Sequence, residues 1–244
     1  NYNLDINNYF ELYDWSINQS SNFWESIWEF SEIIHHSKYK QVVDDINKMP
    51  GANWFEGSKI NFCENLLRYK DDHIAIRYYC EDGNKVFLSY EELYENVAGI
   101  ASALRSVGVK KGDRVCGYLS NVPEAVIAML ATSSIGAVWS SCSSEFGTQG
   151  VVDRFKQIEP KIIFAANGYK YGGKVFNNSK RIKEIVSQIY TIEKVIIVPT
   201  ISNSNLPKLS KLIMWENFIN NLETEINFEI LPFDHPLYIM YSSG

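Results

Sequence analysis

The stretch Arg114-Val-Cys-Gly-Tyr-Leu-Ser-Asn-Val-Pro-Glu124 decides the fold. Val115 to Leu119 carry no charge and read as a buried strand. Asn121 and Pro123 then open a helix, with proline near its first position and Glu124 in its first turn, where a negative charge meets the positive end of the helix dipole. The same alternation follows. Ala137-Val-Trp-Ser-Ser141 reads as a strand, and residues 149–158 as a helix stopped by Pro160. Ile162-Ile-Phe-Ala-Ala166 is a strand, residues 180–189 a helix, and Lys194-Val-Ile-Ile-Val-Pro199 a strand. Strands of continuous apolar residues are buried on both faces, and helices between them allow parallel pairing. The expected class is α/β: a layered, mostly parallel sheet flanked by helices, with right-handed crossovers.

Upstream, residues 73–79 and Lys85-Val-Phe-Leu88 read as an antiparallel pair across the turn Glu81-Asp-Gly-Asn84. Ser89-Tyr-Glu-Glu92 is a capping box, and Leu93, Val97, Ile100, Ala101 and Leu104 keep one helical face until Gly108. Downstream, residues 200–211 form a Ser/Asn/Pro-rich loop. Trp215-Glu-Asn-Phe-Ile219 reads as a short helix and Leu237-Tyr-Ile-Met240 as a last strand.

Residues 1–75 differ from the rest and read as an aromatic-rich helical extension. Phe23, Trp24, Ile27, Trp28 and Phe30 with Ile33 and Ile34 recur at helical spacing, with Ser20, Ser21 or Asn22 as cap candidates. They read as anchors to a core, and His35-His36 as the solvated end of that helix.

The 244 residues carry 23 basic and 29 acidic side chains, a net charge of −6. An acidic balance argues against nucleic acid as a partner. No apolar run reaches the roughly 18 residues that span a bilayer, so no membrane partner is expected. Residues 1–10 are polar and acidic, unlike a secretory leader. Cys63, Cys80, Cys116 and Cys142 form no C-x-x-C pair and read as free thiols in a reducing cytoplasm.

Three stretches carry candidate chemistry. Gly168-Tyr-Lys-Tyr-Gly-Gly-Lys174 fits G-x-x-x-x-G-K, but Val175 stands where a nucleotide triphosphatase loop needs a Mg²⁺-holding hydroxyl, and no helix follows promptly. It reads either as a surface turn or as a Gly-rich loop whose Lys170 or Lys174 meets an anion while Tyr169 or Tyr171 stacks on a base. Ser140-Ser-Cys-Ser-Ser-Glu-Phe-Gly147 follows a strand, where sheets of this type place ligands. Cys142 has no histidine nearby to activate it as a nucleophile, and His235 before Pro236 reads as structural. Tyr241-Ser-Ser-Gly244 closes the sequence like the opening of a phosphate-gripping loop, with small residues and free N–H groups after a strand.

The order of these landmarks resembles the adenylate-forming acyl-CoA synthetases. Asp234-His-Pro-Leu-Tyr-Ile-Met followed by Tyr241-Ser-Ser-Gly244 is similar to that family's phosphate-loop motif, which continues there as Thr/Ser-Thr-Gly-x-Pro-Lys. Trp54-Phe-x-Gly57, Asn61-Phe-Cys-Glu-Asn-Leu-Leu67 and Phe23-Trp24 resemble the entry segment of its acetyl- and acetoacetyl-CoA branch. Gly108-Val-x-x-Gly-Asp-Arg-Val115, Asn121-x-Pro-Glu124 and Gly136-Ala-Val138 keep the family order. Ser141-Cys-Ser-Ser-Glu-Phe-Gly-Thr-Gln-Gly-Val-Val-Asp-Arg-Phe-x-Gln-Ile-Glu-Pro-Lys161, followed by residues 168–174, is similar to the acetoacetyl-CoA branch rather than the acetyl one.

The resemblance implies that residues 1–75 are the extension of that branch and 76–244 the first part of the AMP-binding large domain, cut at the phosphate loop. It implies ATP, Mg²⁺ and coenzyme A as co-substrates, and a cytoplasmic ligase of lipid and ketone body metabolism. A carboxylate, here acetoacetate, attacks the α-phosphate of ATP to give an acyl-adenylate and pyrophosphate. The thiol of coenzyme A then displaces AMP. Ser242, Ser243 and Gly244 would hold the ATP phosphates. Lys170 and Lys174 become the candidates for the 3′-phosphate of coenzyme A, although relatives tend to use the bidentate Arg there. The adenine site, the Mg²⁺ carboxylate and the catalytic lysine lie downstream in the family. The expectation is therefore an N-terminal fragment, inactive alone, with no catalytic residue in this stretch. Two alternatives stay open: an acetyl- or propionyl-CoA synthetase, and a non-catalytic nucleotide- or CoA-binding module.

Overall fold

The burial pattern separates two kinds of segment: runs of apolar strand residues shut off on both sides, and short strands exposed on one or both. The computed structural model describes residues 4–202, 205–219 and 223–242, so Ser243 and Gly244 lie outside the described residues. The chain divides into two units, Asn1–Asn61 with Ile230–His235, and Phe62–Glu229 with Pro236–Gly244.

In the first unit the Asn8 side chain accepts from the Phe10 and Glu11 amides and caps α1 (Tyr9–Asn18), a helix the aromatic spacing did not announce. α2 (Ser20–Phe30) begins after Gln19 without a side-chain cap, so neither Ser20, Ser21 nor Asn22 takes that role. Trp28 alone of α2 is buried, while Phe30 is 87% exposed. The helix stops there because Glu32 adopts a left-handed conformation (φ 47°). His35-His36 is accordingly not a helix end but part of β1 (His35–Ser37), exposed as expected. β2 (Gln41–Val43) pairs antiparallel with β3 (Trp54–Glu56). β1 pairs with β4 (Lys59–Ile60), whose other edge takes Leu231–Pro232. The core is a ring cluster: Trp28 stacks on Phe55 at 4.8 Å, and Tyr39 meets each edge-on at 5.2 Å.

The second unit opens with α3 (Phe62–Leu66), then β5 (Ile74–Tyr79) and β6 (Lys85–Ser89) as the expected antiparallel pair. α4 (Tyr90–Ser106) carries the capping box, Ser89 accepting from the Glu92 amide and Glu92 from the Ser89 amide. β7 (Arg114–Leu119), α5 (Pro123–Ser134), β8 (Val138–Ser143), α6 (Thr148–Ile158) and β9 (Ile162–Ala166) follow the predicted alternation. After them come β10 (Gly168–Tyr171), β11 (Lys174–Asn177), α7 (Ser179–Gln188), β12 (Lys194–Val198), β13 (Leu212–Met214) and α8 (Trp215–Phe218). The central sheet is parallel in the order β13-β12-β9-β7-β8.

Successive residues along these strands feed opposite layers, as strand geometry demands. Val115, Leu119, Phe164 and Ile196 pack with α4 and α5, whereas Cys116, Tyr118, Ile163 and Ile197 pack with α6 and α7. The result is the three-layered α/β arrangement read from the apolar runs.

Residues 237–240 do not form the expected last strand. They run alongside β8 with a single parallel bridge, Trp139 to Tyr238. The Trp139 amide donates to the Leu237 carbonyl and the Ile239 amide to the Trp139 carbonyl. The Ile239 carbonyl is then taken by the Ser140 hydroxyl (2.8 Å), at the rung where a backbone ladder would continue.

Candidate active site

The carboxyl ends of β7, β8, β9 and β12 form a rim, the position where open α/β sheets bind ligands. Each strand hands over to a small polar residue there: Ser120, Ser144, Asn167 and Thr200. The Ser120 and Ser144 hydroxyls share a hydrogen bond of 2.5 Å. Asn178, fully buried, donates from its side chain to the Ser144 carbonyl and from its backbone to the Asn167 carbonyl. The Asn167 amide oxygen accepts from the backbone N–H groups of Thr200 (2.8 Å) and Ile201 (3.0 Å), and its nitrogen donates to the Ile201 carbonyl. Buried polar groups satisfied in this way fix a rim rather than soften it.

The hairpin of β10 and β11 rises from this rim. The Gly-rich stretch is therefore neither an irregular loop nor a nucleotide triphosphatase loop: Tyr171 pairs with Lys174 across Gly172-Gly173, both with positive φ (58° and 72°). That two-residue turn is the geometry that suits a right-twisted hairpin. At its foot Gly168 leaves no room for a side chain, since a Cβ there would lie 2.3 Å from the Phe176 carbonyl oxygen.

Of the two lysines expected to meet coenzyme A, Lys174 is exposed beside the turn and Lys170 forms an ion pair with Asp82 of the β5–β6 turn. That contact holds the Asp82 carboxyl down to about 2 and raises Lys170. Next to it the Glu81 carboxylate accepts from the Gly172 amide at 2.8 Å. Tyr169 stacks one face of its ring on Phe176 at 4.9 Å, whereas Tyr171 is 68% exposed. Between rim and hairpin lies a groove of about 430 Å³ lined by Arg77, Ser120, Asn121, Tyr169, Lys170 and Thr200. A smaller one of about 310 Å³, lined by Tyr78, Glu124 and Trp215 among others, shares Lys170 and Thr200 with it. Burial raises the Glu124 carboxyl and pushes the Tyr78 hydroxyl up to about 12.

At the other end of the rim, Tyr241 donates to the Arg154 carbonyl (2.6 Å), and the Arg154 guanidinium lies 5.8 Å from the Tyr241 ring and 5.2 Å from that of Phe146. Ser242 follows, exposed. Ser243 and Gly244 lie outside the described residues. Sequence reading missed Arg154 as a neighbour of this segment, and Glu81 and Asp82 as partners of the hairpin. Their partners lie about 90 residues away, and nothing local announces such pairs. Cys116 and Cys142 are buried in β7 and β8, where burial raises both thiols and disfavours the thiolate.

The AMP-binding enzyme family model matches residues 62–244, the whole stretch that builds this rim. The chain belongs to that family. The model for the acetyl-coenzyme A synthetase N-terminus matches residues 9–66. Among its relatives, acetoacetyl-CoA synthetase of Macaca fascicularis is 42% identical over 99% of this chain and 37% of its own length. The malonamoyl-CoA synthetase vrtB of Penicillium aethiopicum is 35% identical over 100% of this chain and 36% of its own. A solved structure of acetoacetyl-CoA synthetase from Streptomyces lividans superposes with a TM-score of 0.91 at 37% identity, covering 98% of this chain and 37% of that one. The chain thus spans little more than a third of the length of the relatives it matches. No helix among the described residues is long and apolar enough to cross a membrane.

Proposed function

We propose that the protein ligates acetoacetate to coenzyme A at the expense of ATP, through an acyl-adenylate, with AMP and pyrophosphate as the other products. The observation that carries this reading is the likeness to acetoacetyl-CoA synthetases over 97–100% of the chain, at 38–42% identity. In the first step the acid's carboxylate oxygen bonds to the α-phosphorus of ATP and the bond to the pyrophosphate oxygen breaks. In the second, the coenzyme thiol attacks the acyl carbon, AMP leaves and the thiol proton passes to solvent. Ser242, Ser243 and Gly244 would grip the departing phosphates with hydroxyls and backbone N–H groups, a place where donors act most strongly because charge grows there. Lys170 and Lys174 on the hairpin would meet the 3′-phosphate of coenzyme A.

Mg²⁺ is expected to enter with ATP and share the phosphate charge. Among the described residues one cluster of three possible metal ligands, Asp71, Asp72 and His73, stands just before β5. Free thiols and the acidic charge balance favour a reducing cytoplasm and small-molecule partners over nucleic acid or membrane. Ketone body and lipid metabolism would follow from acetoacetate as the acid.

Pyrophosphate release by the full-length gene product tests this. ATP, Mg²⁺ and coenzyme A are supplied with acetoacetate, acetate, propionate or malonamate in turn. Turnover highest with acetoacetate, with its thioester formed, is the expected outcome. Preference for another acid would keep the ligase and move the substrate. No pyrophosphate with any acid would leave a nucleotide- or CoA-binding module.

A further inference from the structure

We propose that Asp82 gates the coenzyme end of the groove: it holds Lys170 when no coenzyme is bound and yields it to the 3′-phosphate of coenzyme A. The inference rests on the reading of the β10–β11 hairpin as the coenzyme contact and assigns a role to a residue of another hairpin. Lys170 and Asp82 are 88 residues apart, on the hairpin and on the β5–β6 turn. Asp82 does not depend on Lys170 for its position, because its carboxylate also accepts from the Asn84 amide (3.1 Å) within its own turn. Glu81 clamps the hairpin tip independently, through the Gly172 amide. The ammonium of Lys170 therefore stands between a fixed carboxylate and two grooves that it lines.

An ammonium offers three donors and one charge. A carboxylate answers with one negative charge, a phosphate monoester with about 1.5 to 2 and three strong acceptor oxygens. Both members of the pair remain about a third exposed, so the pair is weak enough to exchange. A coenzyme lacking the 3′-phosphate has no phosphate monoester to offer Lys170 and leaves the pair closed. Asp82 thus lowers the affinity for coenzyme A while leaving that for its dephosphorylated form alone.

The test is calorimetric titration of the full-length protein with coenzyme A and with dephospho-coenzyme A. Asp82→Asn keeps an acceptor for the Asn84 amide and removes the charge. It is expected to tighten coenzyme A about two- to fivefold, the size of an exposed ion pair, and to leave dephospho-coenzyme A unchanged. Lys170→Ala is expected to weaken coenzyme A alone and to abolish the Asp82→Asn gain. Equal shifts for both ligands, a weaker coenzyme A complex in Asp82→Asn, or a gain that persists with Ala at 170 would overturn the gate and leave the ligase reading standing. Failure of the unsubstituted protein to bind either ligand would overturn both.

Discussion

β9 and β10 are separated in sequence by one residue, Asn167, and are built by opposite means. Every residue of β9 is buried, and it lies between β7 and β12 with helices over both faces. β10 buries only Gly168, pairs only with β11, and leaves Lys170 and Tyr171 exposed. β9 is held by the area it removes from water, roughly 25 cal/mol per Å² of apolar surface. β10 is held by a turn of two glycines, a foot too tight for a Cβ, and two acidic side chains from another hairpin. Between them Asn167 and Asn178 convert the one environment into the other by satisfying the backbone where the sheet ends. A rigid sheet thus presents a small projecting element that a ligand can reach without disturbing the core.

The largest effect that could break this comparison belongs to β9. Phe164 is fully buried and lies 5.8–6.3 Å, centroid to centroid, from Trp139, Trp215 and Phe218. Phe164→Ala is expected to cost about 3–5 kcal/mol in denaturant unfolding, with the whole second unit losing stability together. A cost below about 1 kcal/mol would mean that β9 is not the load carrier its burial implies.

A smaller effect sharpens the contrast at the hairpin foot. In Gly168→Ala the new methyl would lie 2.3 Å from both the Phe176 carbonyl oxygen and Ile201 Cδ1. The side chain can turn away, but the carbonyl belongs to the paired strand. The expected cost is about 1–3 kcal/mol, with amide shifts confined to residues 167–178 and 199–201 in the spectrum of the folded protein. Shifts spreading through β9 and β12 would show that foot and sheet are one mechanical element.

The two strands also differ in how far the sequence announces them, and the reason is physical. Ile162-Ile-Phe-Ala-Ala166 has no polar alternative to burial, so its apolar run matches the strand to the residue. Gly168-Tyr-Lys-Tyr171 has no apolar period, because its strand character comes from glycines at the turn and partners far off in sequence. β13 escaped for a related reason: Leu-Ile-Met is three residues long and lies at the sheet edge after a polar loop. In the first unit, strands of two or three residues leave no periodicity to read, and α1 has no buried residue at all. The apolar run at 237–240 reads as a strand, but Ser140 takes the carbonyl that would have extended the pairing. At the candidate site, Lys170 and Lys174 were legible as cations among glycines. Their difference was not, since it depends on Asp82, which reads locally as an ordinary turn residue.

The smallest effect concerns that pair and reverses with acid. Asp82 titrates at about 2 in the folded protein, chiefly because Lys170 donates to it, against 3.8 when unperturbed. A folded value below the unfolded one means that the contribution is present above pH 4 and is lost as pH falls through about 4 toward 2. Because the pair is exposed, the change in global stability should be slight, and a local probe is the better reporter. The Asn84 amide donates to the Asp82 carboxylate and so follows its charge directly. Its chemical shift in the unsubstituted chain is expected to titrate near 2, and in Lys170→Ala to move up toward the ordinary carboxylate range. A midpoint near 4 with Lys170 in place would show that the hairpin stands without the pair, held by the Gly172–Glu81 contact and its own two-glycine turn. Asp82 would then be an ordinary turn residue and Lys170 a free cation beside the groove.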